Sequence, residues 1–144
     1  MHLLALKDNE PVATVRLRWY ANFGKVERVC VHKSLRGTKA VRVILAHAFE
    51  IAARKGYRVM TAQIQSRLVP LWSKLLKCQL RENRPVFNFS RFDYKEIDIQ
   101  IPAHPHKIHI NIDPFVLIRP EGEWDETGVL EGATPARSAQ GKAA

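Results

Sequence analysis

Arg36, Gly37, Thr38 and Lys39 stand between an apolar run and a helical one, and together they have the chemistry of a phosphate cradle. A helix that begins here exposes backbone N–H groups with no intrahelical acceptor, and its dipole adds partial positive charge at the same end. Arg36, Lys39 and Arg42 put full charges around that point. A phosphate-bearing ligand is the expected partner. Other candidate groups carry less. His104, His106 and His109 form the loose spacing H-x-H-x-x-H in a proline-rich segment without cysteine or clustered carboxylates, so a surface loop is expected there and no metal. Cys30 lies among valines, where packing in a buried strand is the expectation rather than nucleophilic chemistry.

These residues need elements to position them. His2 to Leu6 and Val12 to Trp19 read as strands around the turn-rich Asp8–Pro11 segment, and Lys25 to His32 reads as a third strand after a turn at 22–24. Strict alternation would put Glu27, Val29 and Val31 on one face, with Arg28, Cys30 and His32 on the other. From Thr38 to Lys55 the period changes to that of a helix. Val41, Ile44, Leu45, Ala48 and Ala52 form one apolar stripe, with Gly56 placed as the C′ residue. Tyr57 to Ile64 reads as a strand, so a crossover makes it parallel to the third strand. A second helix is expected over Leu68–Leu76, strands over Pro85–Ser90 and Tyr94–Ile101, and a strand over Phe115–Ile118. The last residues, 132–144, have the small polar composition of a disordered tail.

The chain has 144 residues and a formal net charge of +9. Residues 1–101 carry 19 Lys/Arg against 8 Asp/Glu, whereas residues 102–144 carry 4 against 6. A basic body of one domain's size, residues 1–101, followed by an acidic extension over 102–131, favours an anionic partner for the body. No apolar run approaches the ~20 residues of a membrane span, and the N-terminus lacks the pattern of a signal peptide. Two cysteines without metal or redox spacing, Cys30 and Cys78, suggest a reducing cytoplasm.

The segments VERVCVHKSLRG, RGTKAV, ILAHAFEIAARKGYRVMTAQIQ and LVPLWSKLLKCQL, in that order, resemble the central part of the GNAT acyltransferase superfamily. The resemblance covers roughly residues 1–101. It implies an α/β (α+β) fold with a mixed, mostly antiparallel sheet, a strand–helix–strand crossover and helices packed on it. It also implies an N-acyltransferase, most simply an N-acetyltransferase, that moves an acyl group from acetyl-CoA or a longer acyl-CoA directly to an amine. The backbone of Val29, Cys30 and Val31 would then bond the acyl and pantetheine groups. The amides of Arg36, Gly37, Thr38, Lys39, Ala40 and Val41 would hold the pyrophosphate. Gln65 would touch the cofactor, Trp72 would wall the thiol end, and Glu27 would be the general base.

Three departures from the family pattern shape the alternatives. Lys39 and Val41 stand where the loop usually has glycine or another small residue. Trp72 stands where a tyrosine general acid is usual, and indole cannot donate a proton in that role. The chain also begins almost at what looks like the family's second strand, which suggests self-association or pairing with a missing N-terminal segment. An acyl carrier protein is an alternative donor, and a non-catalytic acyl-CoA- or partner-binding module is an alternative function. A nucleic-acid surface built on Arg84, Arg91 and the neighbouring aromatics is the least favoured reading.

Overall fold

A computed structural model describes residues 1–76, 78–109 and 111–132. The chain divides into two compact units, Met1–Ile108 and His109–Ala144.

The first unit is built on a seven-stranded sheet. Strands β1 (His2–Lys7), β2 (Glu10–Trp19) and β3 (Gly24–Val31) form an antiparallel meander. Helix α1 (Ala40–Arg54) then crosses to β4 (Val59–Gln65), which runs parallel to β3. A short helix, α2 (Val69–Leu76), follows, then β5 (Gln79–Leu80), β6 (Phe87–Phe89) and β7 (Phe92–Gln100). The sheet order is β1-β2-β3-β4-β7-β5, with β6 paired to β7 as a hairpin. The mixed, mostly antiparallel sheet with one crossover is the architecture that the sequence led us to expect. Among the described residues, no helix is long and apolar enough to cross a membrane.

One face of the sheet makes the core. Val15 and Leu17 on β2, Val26 on β3, Met60 and Ala62 on β4, and Ile97 and Ile99 on β7 all point to it. The stripe on α1 packs there through Ile44, Leu45, Ala48 and Ala52, with Val41 half-buried at its start. The helix ends in a Schellman motif: Tyr57 N–H donates to Ala52 O at 3.0 Å and Gly56 N–H to Ala53 O at 2.9 Å. Gly56 has φ +89, a conformation that costs a β-carbon-bearing residue free energy. Gly56→Ala should therefore lower unfolding free energy by about 1–2 kcal/mol, read from urea denaturation.

Arg28 breaks the alternation of β3. Its φ is +51, and the pairing with β2 steps from Arg16–Glu27 to Thr14–Cys30, so two residues of β3 face Val15 alone. This is a β-bulge. Val26 is buried, yet beyond the bulge Val29 and Val31 return to the core side. Glu27 consequently does not share their face, and Cys30 is exposed rather than buried. Both differ from the expectation of strict alternation, and the extra residue is the reason.

In the second unit, Phe115–Ile118 is part of a short helix, α3 (Pro114–Ile118), and not a strand. The Asp113 side chain accepts from Phe115 N–H at 2.9 Å, and Pro114 occupies the first turn, where its missing N–H costs nothing. Arg119 pairs with Glu131, and its guanidinium also donates to the Trp124 carbonyl. The tail expected over 132–144 falls outside the described residues from 133 onward.

Candidate active site

β3 and β4 are paired only from Gly24–Met60 to Val26–Ala62, and beyond that point they diverge. The bulge at Arg28 lies just beyond that point on β3, while β4 stays in register with β7 as far as Gln65–Tyr94. The gap opens toward the carboxyl ends of both strands. It leaves one edge of β3 without a strand neighbour. His32 N–H donates to Val12 O on the β2 side at 2.8 Å. By the two-residue alternation of an extended strand, the amides of Val31 and Val29 therefore point the other way, into the gap.

On one side the gap leads to a groove of about 570 Å³. Val29, Cys30 and Val31 form one wall, Leu68, Leu71 and Trp72 another, and Arg36, Gly37 and Thr38 close the end at the start of α1. Gln65 sits at the mouth, its side-chain oxygen accepting from Arg67 Nε at 2.8 Å. The loop amides divide into two sets. Those of Arg36 and Thr38 donate to Lys33 O (3.4 Å) and Leu35 O (3.2 Å), and that of Ala40 to Thr38 Oγ1 (3.2 Å). The amides of Gly37, Lys39, Val41 and Arg42 have no backbone or side-chain acceptor among the described residues. Gly37 has φ +80 and open space where a β-carbon would lie. Lys39 is exposed at the N-cap of α1 with no capping side chain of its own. His32 binds back to its own turn, through Ser34 Oγ at 2.8 Å.

A smaller pocket of about 220 Å³ sits in the gap, and one of about 380 Å³ opens on the opposite face of the sheet. Val29, Gln65, Leu68 and Trp72 line both the groove and the central pocket. Val26, Glu27, Arg28, Gln63 and Tyr94 line both the central pocket and the far one. The three pockets thus adjoin one another around the β3–β4 gap and share lining residues.

Glu27 lies on this far side, its side chain only 12% exposed. Arg16 Nε donates to it at 2.8 Å, with a second contact from the same guanidinium, and Lys25 Nζ and Arg18 Nη1 lie at 3.2 and 3.6 Å. Burial alone would raise the pKa of the carboxyl, but hydrogen bonds and charge from Arg16 and Lys25 outweigh it and hold the pKa below the ordinary value. A depressed pKa means that the ionised pairs stabilise the fold fully above the unfolded value of about 4.3 and are lost as pH falls through the folded value. Urea unfolding between pH 6 and 3 should show this loss in the wild type. Glu27→Gln should be the less stable at pH 6, with the difference shrinking toward pH 3.

His104, from the histidine-rich segment, is committed elsewhere. Its Nε2 lies 2.7 Å from Glu50 on α1, and its Nδ1 accepts from His106 N–H at 3.0 Å. Among the described residues, no cluster of three metal-ligating side chains occurs.

Arg16, Lys25, Arg28 and Tyr94 were not singled out as site residues from the sequence. Only the pairings of Arg16 with Glu27 and of Gln65 with Tyr94 bring them to the gap.

The family model described as acetyltransferase (GNAT) family matches residues 1–75, which hold the meander, the loop, α1, β4 and most of α2. The chain belongs to this family. A relative in Bacillus subtilis (strain 168), provisionally named an acetyltransferase, is 32% identical over 74 residues, or 51% of this chain and 50% of that protein. The chain thus spans about half the length of this curated relative. A solved structure provisionally named an N-acetyltransferase, from Lactobacillus plantarum, superposes with a TM-score of 0.61 at 19% identity, covering 67% of this chain and 65% of that one. N-acetylglutamate synthase from Neisseria gonorrhoeae, solved with coenzyme A and N-acetyl-glutamate, gives 0.60 at 12% identity, covering 71% and 26% respectively. These two likenesses establish the GNAT fold.

Proposed function

We propose that this chain forms the donor-binding core of an N-acyltransferase that takes an acyl group from coenzyme A and transfers it directly to an amine. The observation that carries the reading is the groove beside the β3–β4 gap, which ends at the loop before α1, where Arg36 lines the wall and the Gly37 and Val41 amides have no acceptor among the described residues. Pyrophosphate would rest on the Gly37, Lys39, Val41 and Arg42 amides, with the Arg36 and Lys39 side chains beside it. Thr38 and Ala40 would shape that loop through their own hydrogen bonds. The pantetheine arm would lie along Val29, Cys30 and Val31, with Gln65 and Trp72 opposite.

The thioester would then sit in the gap. An amine arriving from the far pocket attacks the carbonyl carbon, forming the C–N bond and a tetrahedral oxyanion for which the Val29 amide is the nearest donor on β3. The C–S bond breaks, coenzyme A leaves as the thiolate, and the nitrogen loses its proton. Glu27, the expected base, is a weak acceptor for that proton while three cations hold it. Its part in this scheme is to fix Arg16 and Lys25, and water in the open pocket takes the proton.

Titration of the purified chain with acetyl-CoA, free coenzyme A and a longer acyl-CoA, read by calorimetry, tests the proposal. Micromolar binding supports it, and silence with all three would direct attention to an acyl carrier protein as donor. A non-catalytic acyl-CoA-binding module is the second reading. It is favoured by Trp72, whose indole N–H can donate a hydrogen bond but is far too weak an acid to protonate a leaving thiolate. Acyl transfer to any amine by the binding-competent chain would exclude it.

A further inference from the structure

The far pocket has a chemistry of its own, set by three strands and a hairpin. Arg16, Lys25 and Arg28 bring three cations to its wall, against one carboxylate, Glu27. That carboxylate is already shared by Arg16, Arg18 and Lys25. Arg28 makes no ion pair with any described residue, and it lines both the far pocket and the central one. Its backbone is held at φ +51, a left-handed conformation that a non-glycine residue adopts only at a cost in free energy. Strain of that kind is retained where it aims a side chain. Here the bulge turns Arg28 out of the core-facing row and toward the gap.

The opposite wall is aromatic. Phe87 stacks on Tyr94 with ring centroids 5.6 Å apart, and Phe89 meets the same ring edge-on at 6.3 Å. Phe87 and Phe89 remain 38% and 67% exposed. A two-residue hairpin at Ser90 and Arg91, both with positive φ, folds β6 back so that these rings stand over β7. A pocket of about 380 Å³ is in the range that takes a small molecule. It therefore offers a surplus of positive charge at the gap and an apolar shelf beyond it.

We infer that the acceptor is a small amine that also carries an anionic group and an apolar or aromatic body. The anionic group would be held by Arg28, with Arg16 and Lys25 behind it, and the body would lie on Phe87, Phe89 and Tyr94. The inference excludes polyamines and other wholly cationic amines, which meet like charge at the entrance. It rests on the proposed function for the word acceptor, but the recognition chemistry can be read without the donor.

The full chain is titrated with L-phenylalanine, with phenethylamine (the same body without the carboxylate), with phosphoethanolamine (an anion without the body) and with spermidine. Each titration is run with and without saturating coenzyme A. L-phenylalanine should bind at least about tenfold more tightly than phenethylamine, a difference of about 1.4 kcal/mol, and spermidine should be the weakest. Phosphoethanolamine binding more tightly than L-phenylalanine would overturn the apolar half of the inference, because that probe has no body to lie on the aromatic wall. Arg28→Gln should erase most of the preference for the anionic amine, and Arg28→Lys should keep part of it. Both variants should retain the parent melting profile, so that a folding defect is not read as lost recognition. Equal binding of L-phenylalanine and phenethylamine would overturn the inference, as would tighter binding of spermidine or an Arg28→Gln variant that still discriminates. Coenzyme A titrated alone reads the donor proposal separately. Its failure together with retained preference for anionic amines would refute the donor and leave the acceptor pocket standing.

Discussion

The double variant Arg36→Glu, Lys39→Glu should bind acetyl-CoA at least about 100-fold more weakly than the parent chain, or about 2.7 kcal/mol. Under the proposed function each substitution would remove a charged donor from beside the phosphates, and such contacts contribute roughly 1.5–3 kcal/mol. Each also adds a repelling carboxylate at a helix N-terminus, where the dipole that favours phosphate remains. Both side chains are exposed and pair with no described carboxylate, so the variant should melt with the parent. Calorimetric titration against coenzyme A and against dephospho-coenzyme A would locate the loss. An undiminished affinity would mean that the start of α1 holds no phosphate. A stability loss equal to the binding loss would mean that the loop acts only on folding.

Leu17→Ala should be the most damaging single truncation for the fold. Leu17 is fully buried near the C-terminal end of β2, directly opposite Val26 and within the cluster that α1 covers. Removing its isobutyl group loses the transfer free energy of the buried carbons and leaves a cavity that packed strands cannot close. The expected loss is about 2–5 kcal/mol, a large share of the roughly 5–15 kcal/mol that holds an ordinary domain together. Urea unfolding followed by circular dichroism should show the midpoint falling while the slope is kept. Leu4→Ala is the control: it deletes the same group from β1, where Leu4 is 61% exposed, and should cost less than about 0.5 kcal/mol.

Much of the architecture could be read from the sequence because local pattern and tertiary role agree. The α1 stripe, the glycine that ends it and the alternation of Ile97 and Ile99 each report burial directly. The basic loop was legible for the same reason, since charge and helix start coincide there. The bulge at Arg28 was not. Period-two reasoning assumes every residue advances the strand by one place, and nothing in V-E-R-V-C-V says that one of them does not. The misplacement of Glu27 and Cys30 follows from that single residue. The Phe115–Ile118 run was ambiguous in kind, since four apolar residues suit a strand or one helical turn. Its deciding signal, Asp113 followed by Pro114, was present and is a capping pattern. The far pocket needed the register of β4 against β7, which no local feature of either strand encodes.

Three residue pairs join β3 to β4, from Gly24–Met60 to Val26–Ala62, whereas the ladder between β4 and β7 extends over seven. Mechanically the sheet is two antiparallel ribbons held along a short seam, with α1 as the tether that keeps them from separating. A ligand whose own amides met Val29 and Val31 would act as extra stitches at the loose end of that seam. Filling the gap would then stiffen both ribbons at once, including the strands beneath the far pocket. An acceptor arriving second would meet a floor already made rigid, and would lose less entropy in settling on it. Under the proposed function, donor before acceptor would be the order this construction favours.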